Sequence, residues 1–265
     1  MSEIERMMRR YYQEYYKKSL GLPDWAERVD ARLKEEESYC LRFIQWIETW
    51  LDYSFRGKKV LVCGCGTGGE VVNFWRKGAT VYAIDSDNDA TKIAKRKSAT
   101  RCQNEPQIEN GCIEKLPFSS NDFDFIYCST VLEHVDNVED AVSEMIRCVK
   151  PSGRIFIECP DYRQWYEPHY KMSLPMFMPK IVNKVTLFAC RRPVKFFGTL
   201  NLVNSRKLAN IFMNHPVTAF RVLHPWPCHW QQNISLRFRL IKIITTLFEV
   251  HRDQFWILQK LDQQT

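Results

Sequence analysis

From Lys59 to Cys159 short apolar runs alternate with amphipathic ones, and this rhythm limits the fold more than any other feature of the chain. Val60 to Cys63, Thr80 to Ile84, Phe123 to Cys128 and Arg154 to Cys159 read as buried strands. Gly69 to Lys77, Asp89 to Ser98 and Val138 to Val149 read as the helices between them, the second with a basic face. Parallel strands need long crossover connections and helices supply them. The alternation therefore predicts an α/β fold, a mostly parallel sheet with helices on both faces. Pro151-Ser152-Gly153 is expected to end the last helix and turn the chain into its strand.

The flanking regions follow other patterns. In residues 1 to 55 Tyr11, Tyr12, Tyr15 and Tyr16 recur near helical spacing, and Leu41, Phe43, Ile44, Ile47 and Trp50 form a second apolar stripe. Leu22-Pro23-Asp24 is the expected break between two helices. After Cys159 the rhythm stops: Pro160, Pro168, Pro175, Pro179 and Pro193 punctuate aromatic and methionine-rich segments, which suits a cap or lid better than a sheet. Residues 234 to 243 alternate again and read as a late strand. A chain of 265 residues accommodates this as one α/β core carrying an insertion.

The charge is unevenly placed. Residues 151 to 265 hold 16 Lys and Arg against 6 Asp and Glu, whereas the first 150 residues hold 22 against 25. A basic second half suits an anionic partner such as a membrane surface or a nucleic acid, and equally a solvated surface. The charged start and the absence of any run near the roughly 18 apolar residues of a membrane span predict a cytoplasmic chain, with peripheral contact at the inner membrane face left open. Cys63, Cys128 and Cys159 fall inside strand-like runs, where a reduced thiol behaves as a small hydrophobe. Cys63 and Cys65 are too close, and Cys228-His229 too isolated, for zinc-ligand spacing, so no metal site is expected.

Gly64, Gly66 and Gly68 stand at alternate positions between a strand and a helix. Such a turn lets a ligand approach the backbone and meet the free amides of the helix start. Asp85 ends the second strand 19 residues after Gly66, where an acidic group would bond a ribose diol. Nicotinamide enzymes use the same arrangement, and Asp85 could instead cap the next helix.

In order and spacing, Val-Leu-Val-Cys-Gly-Cys-Gly-Thr-Gly, Ala-Ile-Asp85-Ser, Ile-Glu-Lys-Leu-Pro-Phe, Asn-Asp-Phe-Asp-Phe-Ile and Leu-Glu-His-Val resemble the class I methyltransferases. The resemblance is greatest to the group that includes the ubiquinone and menaquinone biosynthesis methyltransferases, and it covers roughly residues 58 to 160. It implies a Rossmann-like fold and S-adenosyl-L-methionine as cofactor. Gly64, Cys65, Gly66 and Gly68 would back the methionine part, Asp85 would hold the ribose, and Ser86 with Cys112, Ile113 and Glu114 would border the adenine. Ser129 would face the sulfonium region. The chain departs from the group at Val62 and Cys112, where the group carries acidic residues. On this reading residues 1–55 cover the cofactor site, 56–160 bind the cofactor, 161–215 form a cap or substrate-binding insertion, and 216–265 complete the sheet.

His134 follows the fourth strand at the edge where ligands of such folds sit, and it is a candidate base or a structural residue. His169 is the second candidate base. Tyr162, Tyr166, Glu167 and Tyr170 leave the fifth strand with it and are candidates to border the acceptor, or to fill an ordered loop. This segment also resembles, more weakly, methyltransferases of cell-envelope polysaccharide synthesis. From Leu174 to Phe197 apolar anchors alternate with cations, as in an interfacial helix or a helix facing a core. The expected acceptor is a small-molecule or lipid-linked hydroxyl on a saccharide or quinone-type ring. An RNA or protein methyltransferase and a non-catalytic binder are the alternatives. Ser129-Thr-Val-Leu stands where enzymes acting on base nitrogens carry Asn/Asp-Pro-Pro-aromatic, which disfavours nucleic acid.

Overall fold

A computed structural model describes residues 1–222 and 253–262; the strand expected at 234 to 243, with Cys228 and His229, lies outside the described residues. Five strands pair in parallel: β1 (Lys59–Cys63), β2 (Thr80–Asp85), β3 (Gln107–Asn110), β4 (Phe123–Ser129) and β5 (Val149–Pro160). A two-stranded hairpin of β6 (Tyr166–Glu167) and β7 (Met172–Ser173) stands apart from them. β8 (Val217–Val222) pairs antiparallel with β9 (Asp253–Lys260), which pairs antiparallel with β5. The order β3-β2-β1-β4-β5-β9-β8 makes one mostly parallel sheet of seven strands.

Side-chain alternation along each strand feeds two cores. Val60 and Val62 of β1 face Phe43, Ile44 and Ile47 of α2 (Trp25–Leu51) and Val71 and Phe74 of α3 (Gly69–Arg76). Leu61 and Cys63 point the other way, into a core that α5 (Val138–Cys148) fills with Val142 and Met145. α4 (Asn88–Arg101) contributes Ala94 to the first core. Strands covered on both faces are apolar at every position, which is why they read so clearly.

Two features differ from the expectation. β3 falls in a stretch without rhythm, because it is a short edge strand with only Ile108 buried. Pro151-Ser152-Gly153 lies inside β5 as a bulge where the register against β4 shifts, not before the strand as a turn. A Cβ on Gly153 would come within 2.8 Å of Val149 and 2.9 Å of the Lys150 carbonyl, so the bulge closes only around glycine.

α1 (Glu3–Gln13) begins with a capping box between Ser2 and Glu5, and a π-helical turn follows at Glu14–Ser19. Leu20 and Leu22 beyond it are buried with Tyr162, Tyr170, Leu174, Met176, Leu187, Phe197 and Leu200. The last three come from α6 (Lys180–Ala189), α7 (Lys195–Thr199) and the residue after it. The N-terminal segment and the cap thus share one apolar cluster. α8 (Ser205–Met213) leaves that cluster and packs Leu208, Ile211 and Phe212 on the sheet.

Candidate functional site

The chain leaves β1 toward β2 and leaves the adjacent β4 toward β5, so the connections after these two strands run apart at their carboxyl ends, the place where such sheets open a crevice. The glycine turn lies on one side of it. Gly64, Gly66 and Gly68 all have positive φ, but for different reasons. A Cβ on Gly64 would strike Val131, and one on Gly68 would press on Ala94 at 3.0 Å. At Gly66 (φ +49°) nothing lies within 4 Å, so that backbone faces open space into which a ligand fits. Gly69, which with Gly64 and Gly66 completes a G-x-G-x-x-G spacing, would press on Cys40 and Glu36 at 3.0 Å. Cys65 is buried and backs the turn.

Asp85 closes the same side. Its carboxylate accepts from the Gly66 N–H at 2.8 Å and from the Asp87 N–H at 2.8 Å. Burial raises this carboxyl above its ordinary range, against those two backbone donors. Asp87, not Asp85, caps α4 by accepting from the N–H groups of Asp89 and Ala90. Ser86 is exposed beside it. Cys112, exposed, and Ile113, buried, follow the end of β3, where Gly111 N–H donates to the Asp85 carbonyl at 3.0 Å. Glu114 accepts from the Asp136 N–H at 2.8 Å.

Behind the turn lies a buried polar group that sequence reasoning missed. Tyr12 donates to Glu36 at 2.9 Å, and its hydroxyl lies 2.7 Å from the Thr67 hydroxyl. Thr67 donates to Glu36, which pairs with Lys97. Lys97 is 1% exposed although it belongs to the helix read as having a basic face. Burial alone would raise Glu36, but Lys97 and Arg32 outweigh it and hold its carboxyl below the ordinary value. Tyr11 meanwhile donates to Asp87 at 3.0 Å, so α1 closes over the turn. The tyrosine stripe was the available signal; its partners on α2 and α4 were not legible without the fold.

Across the crevice the chain after β4 meets the cap. Ser129 donates to Glu158 at 2.6 Å, which turns its hydroxyl toward β5. Burial first, and Asp253 second, push the Glu158 carboxyl up to about 8. The candidate base His169 is brought beside the candidate base His134, ring centroids 5.1 Å apart, with Phe196 against both. Burial, and then His169, push the His134 imidazole down to about 3. Glu167 is wholly buried; its Oε1 lies 2.7 Å from His169 Nδ1 and its Oε2 accepts from the Tyr170 N–H. Tyr162 and Tyr170, expected to border the acceptor, are instead buried in the cap cluster. Tyr170 donates to the Pro193 carbonyl at 2.5 Å and accepts from the Phe197 N–H at 3.1 Å, roles that build the cap. Tyr166 is half-buried in the β6–β7 hairpin. Glu133, which sequence reasoning passed over beside His134, is buried between the two imidazoles.

Residues 61–157 match the family model described as a methyltransferase domain. Among curated proteins, a demethylmenaquinone methyltransferase of Tropheryma whipplei is 31% identical over 132 residues, covering 49% of this chain and 54% of its own. A mitochondrial ubiquinone biosynthesis O-methyltransferase of Schizosaccharomyces pombe is 35% identical over 107 residues, covering 39% of this chain and 38% of its own. The chain thus spans about half or less of the length of these relatives. Among solved structures, the magnesium protoporphyrin IX methyltransferase of Synechocystis with bound SAM aligns over 98% of both chains at 13% identity and TM-score 0.56. An S-adenosylmethionine-dependent methyltransferase of Mesorhizobium loti aligns over 81% of this chain and 98% of its own, at 13% identity and TM-score 0.56. These likenesses show the Rossmann-like class I fold.

Proposed function

We propose, since residues 61–157 match the methyltransferase domain model, that the chain is an S-adenosylmethionine-dependent methyltransferase acting on a small-molecule or lipid-linked acceptor, at a hydroxyl of a quinone-type or saccharide ring. One observation carries this reading: the turn after β1 leaves an open cradle at Gly66 beside the Asp85 carboxylate, while the adjacent strand β4 leads into the segment that sets His134 against His169. The donor set fits the cofactor. Asp85 would hold the ribose diol, each oxygen keeping a lone pair beyond its backbone bond, and Gly66 would let the ligand backbone pass. When bound, S-adenosylmethionine supplies an electrophilic methyl group. The protein aligns the acceptor against it, and alignment provides most of the rate. His169, oriented through Nδ1 by Glu167, offers Nε2 to the proton that an acceptor hydroxyl releases. The names of the curated relatives favour a quinone-type ring over a saccharide.

The cap supports a lipid-linked acceptor. Ile181, Val185 and Phe188 of α6 lie one helical turn apart and are exposed, the last at 80%. Phe177, Met178 and Trp165 are also exposed. Residues 168 to 222 carry nine Lys and Arg and no Asp or Glu. Apolar anchors among cations match the surface of an anionic bilayer, and we assign that surface as the partner of this face. No helix among the described residues is long and apolar enough to cross a membrane.

The test is methyl transfer from labelled S-adenosylmethionine to a panel of polyprenyl quinone precursors and lipid-linked saccharides presented in vesicles. His169→Ala should lower turnover by about 10²- to 10⁴-fold with cofactor affinity intact. Full turnover in a folded His169→Ala protein would remove the histidine from the reaction, and no transfer to any acceptor would count against the reading.

A further inference from the structure

Glu133 is wholly buried, and neither of its carboxylate oxygens has a hydrogen-bond partner. A buried carboxylate left without donors is costly and calls for an explanation. Two imidazole nitrogens stand near it: His134 Nε2 and His169 Nε2 each lie 4.0 Å from Glu133 Oε1. That is too far for a hydrogen bond and too near for groups that ignore one another. The ligand atoms of all three residues lie within 4.8 Å of one another, the one such group found among the described residues.

The surroundings hold these atoms in place. Glu167 takes the Nδ1 proton of His169 at 2.7 Å, which leaves Nε2 with its lone pair toward Glu133. A carboxylate behind the distal nitrogen is the usual support of a metal-ligating histidine. Glu167 is fixed in turn by the Tyr170 N–H at 2.6 Å. On the other side Asn201 donates its N–H to the Glu133 carbonyl at 2.8 Å and its side-chain amide to the Val135 carbonyl. The segment bearing Glu133 and His134 is thereby tied to the cap that carries His169. The His134 side chain is 35% exposed, which leaves an entry path.

We propose that Glu133, His134 and His169 bind a divalent first-row transition-metal ion, with Glu167 positioning His169. Two imidazoles and one carboxylate suit zinc, cobalt, manganese or iron better than magnesium or calcium, which prefer all-oxygen shells. Metal–ligand bonds of about 2.0–2.2 Å place neighbouring ligand atoms of a tetrahedral site roughly 3.4 Å apart, so each imidazole closes by about half an ångström. Three protein ligands leave a coordination position open to water or an oxygen of the acceptor. A hydroxyl bound there would lose its proton to water more readily, and its oxygen lone pair would remain for transfer. That role rests on the methyl-transfer reading, and with the metal bound it replaces His169 Nε2 as the proton acceptor, since that lone pair is then a ligand; the metal site itself does not rest on that reading.

The experiment needs neither cofactor nor acceptor. The full-length, chelator-treated chain is titrated with Co²⁺, followed by visible absorption, and with Zn²⁺, followed by calorimetry. One equivalent should bind with the absorption of nitrogen and oxygen ligands. His134→Ala and His169→Ala should each weaken binding at least about 10-fold, and Glu167→Gln, which leaves all three ligands in place, by about 10- to 100-fold. Circular dichroism keeps only variants that retain the fold; His134→Ala, at the exposed end of the site, serves if the buried variants do not. Absence of saturable binding, affinity unchanged in the folded histidine variants, or intense near-ultraviolet thiolate bands indicating cysteine ligation would each overturn the proposal.

Discussion

Three glycines of one turn meet three different surroundings, and only Gly66 faces space that a ligand could take. Gly64 and Gly68 are glycine because Val131 and Ala94 leave no room. The sequence shows all three alike, since an alternate-glycine pattern says nothing about what approaches each residue. Asp85 was legible because strand end and spacing suffice to place it. Glu158 was not, because its behaviour depends on Asp253, a residue 95 positions on that the antiparallel register of β5 and β9 brings near. Burial and that neighbour raise its carboxyl from 4.5 to about 8, so the folded chain keeps a proton there that the unfolded chain releases. Stability from this group is therefore full below about 4.5 and is lost as pH rises toward about 8. Glu158→Gln keeps the shape and cannot ionise, and it should flatten the fall of Tm across that interval. Equal slopes in the two proteins would contradict the assignment.

At the scale of elements the strand and helix rhythm was readable wherever a strand is buried on both faces, as in β1, β2 and β4. It failed for β3, an edge strand of four residues with one buried side chain, and for the bulge in β5, whose only sequence mark is a Pro-Ser-Gly that equally marks a turn. α4 looked like a helix with a basic face, yet one of its lysines is its most consequential buried group: Lys97 neutralises Glu36 where α1, α2, α4 and the glycine turn meet. Lys97→Met leaves that carboxylate buried with one cation fewer and should destabilise the chain by about 3–5 kcal/mol in denaturant titration. A loss below about 1 kcal/mol would mean the pair is not held as described. α6 poses the converse case, because its apolar stripe faces outward. Replacing Val185 and Phe188 by serine should cut sedimentation with anionic vesicles severalfold and leave Tm within a few degrees. Unchanged vesicle binding would remove α6 as the docking face.

Taken as a whole, the molecule joins its two flanking segments over the crevice that the sheet opens. The N-terminal helices reach it through Tyr11 and Tyr12, and the cap reaches it through Glu167 and His169, while Leu20, Leu22 and the cap residues share one cluster. The sequence suggested two coverings without showing that they meet, since contacts between residue 20 and residue 197 leave no local pattern. The same long range explains why Tyr162 and Tyr170 read as lining an acceptor site when they are the cap's own core. What the whole arrangement asserts is that Gly66 and Asp85 form a site for S-adenosylmethionine. Calorimetric titration of the cofactor into the wild-type chain and into Gly66→Val and Asp85→Ala tests this most directly. The account predicts one equivalent bound by the wild type, an affinity about 1–3 kcal/mol weaker in Asp85→Ala, and no detectable binding in a folded Gly66→Val protein. A wild type that binds none, or a folded Gly66→Val variant that binds as tightly as the wild type, would contradict it.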